Sequence, residues 1–169
     1  KKSVLLLFFA GCVATGIFGI GRKIPMNRVN DLGQREGYWR DSVGGGFVYD
    51  LYYKGGKKDG LYKRFYRNKL FLFGEYTADN ISGTWYMFGD EGELRCTIDS
   101  IELNKDSIYT GYCRIFCKYK CHSIDYYPSG AVKSEGYMVC DEEFEIEIWE
   151  IGEWKYYDES GNLIKTKDY

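Results

Sequence analysis

The stretch Gly152–Lys165, "GEWKYYDESGNLIK", decides the fold, because the chain spells this phrase more than once. Gly83–Arg95 reads "GTWYMFGDEGELR". In both, Trp stands two residues after the opening Gly, an aromatic follows three residues later, and an acidic turn leads into Gly-x-Leu. Gly37 opens "GYWRD" and Gly60 opens "GLYKRFYRNKL". Gly37, Gly60 and Gly83 are spaced by 23 residues, and Gly152 follows after 69, three times that interval. Two weaker copies fill the gap: "KDSIYTGY" (Lys105–Tyr112) and "IDYYPSGAV" (Ile124–Val132).

The spelling of one unit predicts a β-hairpin. Trp154 and Tyr156 alternate with the polar Lys155, so the aromatic pair shares one face of a strand. "DESG" (Asp158–Gly161) supplies Asp at a turn start and Gly where positive φ is wanted, and Asn162–Lys165 starts the return strand. "GDEG" (Gly89–Gly92) and "PSG" (Pro128–Gly130) repeat that chemistry, and "KGGKKDG" (Lys54–Gly60) reads as a turn between hairpins. One such hairpin cannot stand alone. Ordering costs about 1–2 kcal/mol per residue, and each half-buried aromatic returns only about 1.5–3 kcal/mol. The hairpins must stack edge to edge. The predicted fold is all-β: an elongated antiparallel meander of stacked β-hairpin repeats, a single twisted sheet and not a closed barrel.

Composition agrees. The 169 residues include 17 Tyr, 10 Phe, 4 Trp and 21 Gly but 2 Pro, which favours strands and turns. With 23 basic and 25 acidic residues the charge is balanced, which argues against a nucleic-acid partner. Residues 1–24 are different material: Lys1 and Lys2, an apolar run from Val4, then Arg22 and Lys23. "FAGC" at Phe9–Cys12 resembles a bacterial lipobox and makes Cys12 a candidate lipidation site. The alternatives are ordinary cleavage or an uncleaved anchor, which would be helical if retained; Val4–Gly21 is near the shortest length that spans a bilayer. Each places residues 25–169, the repeat domain, outside the cytoplasm or at a membrane.

The pattern G-x-W-x-x-[YF]-x-x-x-G-x-L, with the G-x-x-x-G approaches Gly33–Gly37 and Gly56–Gly60, resembles the variant MORN repeats. These are common in Bacteroidetes proteins labelled as toxin–antitoxin "antitoxins". The resemblance covers Asn30–Lys165, with Arg95–Cys121 poorly matched. It implies a protein-interaction or membrane-proximal scaffold and carries no catalytic residues with it.

Candidate chemistry is sparse. The one histidine, His122, adjoins Cys121, and adjacent strand residues point to opposite faces, so no Cys–His nucleophile is expected. Cys113, Cys117 and Cys121, if in one strand, would span roughly 26 Å, too far for one tetrahedral metal. A disulfide between neighbouring strands and small buried thiols both remain open. Glu143, Glu145 and Glu147 share a strand face opposite Phe144, Ile146 and Ile148, which reads as a solvated acidic face. The aromatics are the binding candidates: Trp39, Tyr53, Tyr66, Trp85, Tyr127, Trp154 and Tyr157 form the expected interaction surface. No cofactor, metal or catalysis is expected. The functional expectation is a non-enzymatic scaffold or accessory subunit with a protein partner in a bacterial envelope complex, tethered to the membrane through its N-terminus. The alternatives are a polysaccharide-binding module using exposed rings, and antitoxin-like neutralisation of a toxin.

Overall fold

The computed structural model describes residues 25–105, 108–110, 113–115, 117–141 and 148–169. Its strands are β1 (Arg28–Val29), β2 (Arg35–Gly44), β3 (Phe47–Lys54), β4 (Lys57–Tyr66), β5 (Lys69–Thr77), β6 (Asn80–Phe88), β7 (Leu94–Leu103), β8 (Ile108–Thr110), β9 (Cys113–Ile115), β10 (Tyr119–Tyr126), β11 (Val132–Cys140), β12 (Ile148–Tyr157) and β13 (Leu163–Asp168). Eleven of them form one open antiparallel sheet in the order β1-β2-β3-β4-β5-β6-β7-β10-β11-β12-β13, and β8 and β9 form a separate two-stranded sheet. The meander expected from the repeats is the fold.

Two kinds of turn recur among the described connections. Asp158–Asn162 closes with Asp158 N–H donating to Asn162 O (3.0 Å) and Gly161 N–H donating to Asp158 O (2.9 Å). Gly89–Glu93, Tyr127–Ala131 and Asn30–Gln34 repeat this pair of bonds. The other kind has two residues, both at positive φ: Gly45–Gly46, Gly55–Gly56, Arg67–Asn68 and Ala78–Asp79. So "KGGKKDG" turns only at Gly55–Gly56, and Lys57 onward is already β4.

The 23-residue period has a hydrogen-bond counterpart. Gly56 N–H donates to Arg35 O (3.0 Å), and one period later Asp79 N–H donates to Lys58 O (2.9 Å). The acid beside each acceptor serves the other turn amide: Gly55 N–H reaches Glu36 (2.8 Å) and Ala78 N–H reaches Asp59 (3.4 Å). The Gly55–Gly56 and Ala78–Asp79 turns are thus each clamped to the preceding unit.

Among the described residues, the 69-residue interval does not hold three such units. Between β6 and β12 the sheet runs β7-β10-β11, so β10 is the only strand there that runs in the β6 direction. Part of the extra length forms the separate β8–β9 hairpin, and "KDSIYTGY" is therefore not a unit of the main sheet. The three cysteines expected in one strand are also divided, Cys113 in β9 and Cys121 in β10.

Three of the opening glycines, Gly60, Gly83 and Gly152, sit in bulges. Asp59, Gly60 and Leu61 together lie opposite Tyr52, Gly83 to Trp85 opposite Gly74, and Gly152 to Trp154 opposite Gly136. Gly60, Gly83 and Gly152 take φ of 120°, 65° and 62°, a region that penalises side chains. In β10, His122 stands where the opening Gly would fall, and the irregularity moves to β7, where Ser100 takes φ 51°.

The bulges at Gly83 and Gly152 swing Trp85 and Trp154 across the neighbouring strand. Trp85 is fully buried, and a Cβ at Gly74 would lie 2.1 Å from its indole; at Gly136 a Cβ would lie 2.5 Å from that of Trp154. The indole N–H groups of Trp85 and Trp154 donate to Ser82 O (3.1 Å) and Tyr137 O (2.8 Å). Around them pack Tyr62, Leu72, Tyr76, Ile81, Ile98, Tyr119 and Met138. Tyr62 touches the Trp85 ring across β5, with centroids 5.5 Å apart. One face of a single sheet has become a core. We predict that Gly74→Ala and Gly136→Ala each cost about 1–3 kcal/mol by overpacking. Urea unfolding of Gly74→Ala, Trp85→Ala and the double variant will give strongly non-additive losses, because the second change relieves the clash made by the first.

Candidate functional site

The same inward face holds a concavity. Side chains from β5 (Phe71) through β12 (Trp154, Tyr156) line one groove of about 570 Å³. Strands in a sheet sit about 4.8 Å apart, so in a flat sheet β5 and β12 would be roughly 24 Å apart. The groove therefore runs across six strands, and bulges of the kind described add local twist and bend that draw those strands toward one trough.

The groove has an apolar lining of Phe71, Met87, Phe88, Ile98, Met138 and Trp154, with a polar row sunk into it. Ser123 and Ser134 are 3% and 4% exposed. The Ser134 hydroxyl donates to the Asp125 carboxylate (2.9 Å), and the Ser123 hydroxyl meets the Cys96 thiol at 3.3 Å. Burial pushes the Cys96 thiol up to about 12, so it stays protonated and acts as a small polar wall, not a nucleophile. Tyr156 closes one side, its hydroxyl bonded to that of Tyr169 at 2.8 Å. That hydrogen bond, with some desolvation, raises Tyr156 to about 12. Arg95, Lys133 and Glu150 are exposed side chains of the lining, so the rim carries both signs of charge. Hydroxyls and a carboxylate at the bottom of an apolar trough can accept and donate hydrogen bonds to a ligand while its apolar parts are desolvated.

The expected interaction surface is distributed differently. Trp85 and Trp154, fully and 95% withdrawn from solvent at 0% and 5% exposure, are core residues and cannot offer open faces to a partner. The reason is the pair of glycines, Gly74 and Gly136, whose missing side chains leave room for the indoles. Trp39 and Tyr53 are half-buried against the core, with the Arg35 guanidinium over both rings. Tyr66 stacks on Phe47 with ring centroids 4.8 Å apart. Tyr127 donates to Tyr157 O (2.9 Å), and Tyr157 donates to Glu135 (2.6 Å), the bond that raises the Tyr157 hydroxyl. The seven rings are not brought into one patch. Cys12 and Glu143, Glu145 and Glu147 lie outside the described residues.

The groove residues Ser123, Asp125 and Ser134 were not singled out by motif. Their signal is period-2 spacing: Cys121, Ser123 and Asp125 share a face of β10, and Ser134, Gly136 and Met138 share one of β11. Polar residues continuing a buried series are the mark of a lined cavity.

His122 faces the other way. Its ring meets Tyr137 edge-on at 5.2 Å, and Nδ1 lies 3.6 Å from Asp99. The Ser100 hydroxyl donates to the same carboxylate at 3.0 Å, so Asp99 stands between serine and histidine, and the order needed to activate a serine is not made. Among the described residues no group of three or more His, Cys, Asp or Glu could hold a metal ion.

No protein-family model, curated protein or solved structure matches the chain.

The buried thiol gives a pH signature. The Cys96 pKa rises on folding from 9.0 to about 12, so the folded state binds the proton more tightly. Its contribution to stability is intact below about pH 9 and is lost as pH climbs toward 12. Urea unfolding across that window will show wild type losing up to about 1.4 kcal/mol per pH unit relative to Cys96→Ser, tyrosine ionisation cancelling in the difference.

Proposed function

We propose that this chain is a non-enzymatic binding module whose curled groove takes an extended segment of a protein partner. The observation that carries this is the row Ser123–Asp125–Ser134 sunk in an apolar floor between charged rim residues of both signs. A peptide presents what this groove complements: alternating apolar side chains, backbone donors and acceptors, and charges of either sign. A sugar partner is favoured less, because Trp85 and Trp154, the rings best suited to stacking on a pyranose, are buried in the core. His122 with Asp99 contributes no chemistry to the groove, which supports binding over catalysis.

The leader expected over residues 1–24 would place the module at the bacterial envelope, as a scaffold or accessory subunit of a membrane-associated complex. The antitoxin label attached to similar repeats points to a toxin as one class of protein partner. Among the described residues no helix is long and apolar enough to cross a membrane.

The test is site-specific photo-crosslinking of the full chain in its native cells. A photoreactive residue at Lys133 or Glu150 will yield one stoichiometric protein adduct, and the same residue at Lys63 in a separate outer cleft will not. Lys133→Glu and Glu150→Lys, both exposed, will each weaken that adduct by about tenfold, equivalent to about 1.4 kcal/mol. Equal adducts from all three positions, or glycan binding by the purified chain without a protein adduct, would reject a peptide groove.

A further inference from the structure

We infer that Cys121 and Cys140 are a disulfide-forming pair that closes the sheet covalently between β10 and β11. The two sulfurs lie 3.5 Å apart on adjacent antiparallel strands, and both side chains are at 0% exposure on the inward face. Cys121 lies opposite Met138, and Tyr119 opposite Cys140, so the thiols meet along a diagonal of the ladder. Diagonal neighbours have Cα atoms about 7–8 Å apart with Cβ atoms somewhat closer. That is just beyond the separation a bridge spans, so closure must draw the two strands together locally. The other described thiols are placed elsewhere. Cys96 faces Ser123 across β7 and β10, and Cys117 precedes β10 near Asn104.

The chemistry is thiol–disulfide exchange with a small-molecule or protein disulfide of the kind present in oxidising compartments. One thiol, as its thiolate, attacks a sulfur of the oxidant, forms a mixed disulfide and releases one thiol. The second cysteine then displaces the remaining half. The S–S bond forms between Cys121 and Cys140, two thiols of the former oxidant leave, and the two protein thiol protons pass to them. The hydrogen bond that Cys140 donates to Cys121, together with burial, holds the Cys140 proton tightly in the folded sheet. Exchange therefore belongs to the open chain before the inward face closes. A sheet that folds reduced stays reduced, and one that folds oxidised keeps its bond.

The full chain, unfolded with reductant and refolded in detergent with a glutathione redox buffer, is alkylated, digested without reductant and examined by mass spectrometry. The expected product is a Cys121–Cys140 linked peptide pair, lighter by two hydrogens than its reduced form. Cys96→Ser will keep the link; Cys121→Ala or Cys140→Ser will abolish it. Because those two variants sit in the core, a second measurement uses unmutated chain. Its unfolding midpoint, compared between chain refolded in the redox buffer and chain unfolded and refolded in a phosphine reductant, will be several degrees lower where the bond has not formed. Alkylation of both Cys121 and Cys140 after refolding, linkage of either to a different cysteine, or an unmoved midpoint would overturn the pair.

Discussion

The indole of Trp85 lying on the bare backbone of Gly74, matched by Trp154 on Gly136, is the contact from which the rest of the structure follows. A single sheet has two faces and no second layer, and so has no obvious place to bury an aromatic ring. Here the layer is supplied by the rings themselves. A bulge at the opening Gly turns the Trp sideways, the facing glycine yields its side-chain volume, and the ring covers the neighbouring strand. The indole N–H still reaches a main-chain carbonyl in each case, so the burial leaves no polar orphan. Dispersion contacts on both ring faces then do the work of a core.

The sequence made the repeating hairpins plain, because they are encoded locally. An opening Gly, alternating aromatics and an Asp or Gly turn are short-range chemistry, and Gly37, Gly60, Gly83 and Gly152 were enough to set the meander. The Asn30–Gln34 turn is the same device, spelled with a different first residue. What depended on distant partners was less visible. Trp85 and Trp154 look like surface rings until Gly74 and Gly136 are known to lie across from them, and nothing in their own units announces this. The interval from Gly83 to Gly152 misled for a similar reason: a hairpin outside the main sheet, β8–β9, takes up length that arithmetic assigns to another unit. The groove was hidden because it is composed from six strands, each contributing only one to a few side chains.

Curling and burial are therefore one phenomenon with two results. The bulges that let the Trp rings fold down also bend the sheet, and the bend turns a flat face into a trough. Where the rings fill the trough it is core. Toward β10 and β11 the inward positions pass to Ser123, Asp125 and Ser134, and the trough remains open and polar at its base. The stabilising part and the binding part of the inward face thus differ only in which side chains occupy equivalent positions. A change in curvature at the core end would be felt in the groove, since the same strands carry both.

The turn clamps add a consequence for the chain's history. Arg35 and Glu36 bind the amides of Gly55 and Gly56, and Lys58 and Asp59 bind those of Ala78 and Asp79 in the same way. The unit that holds both Gly55–Gly56 and Lys58–Asp59 carries the acceptors for the turn ahead of it and the amides for the strand behind it. Duplicating or deleting a whole unit of this length rejoins a donor half to an acceptor half and leaves no amide unmet. A break anywhere inside the unit separates them. An array clamped in this way can gain or lose a whole step without orphaning a turn amide, whereas a cut within a step orphans one.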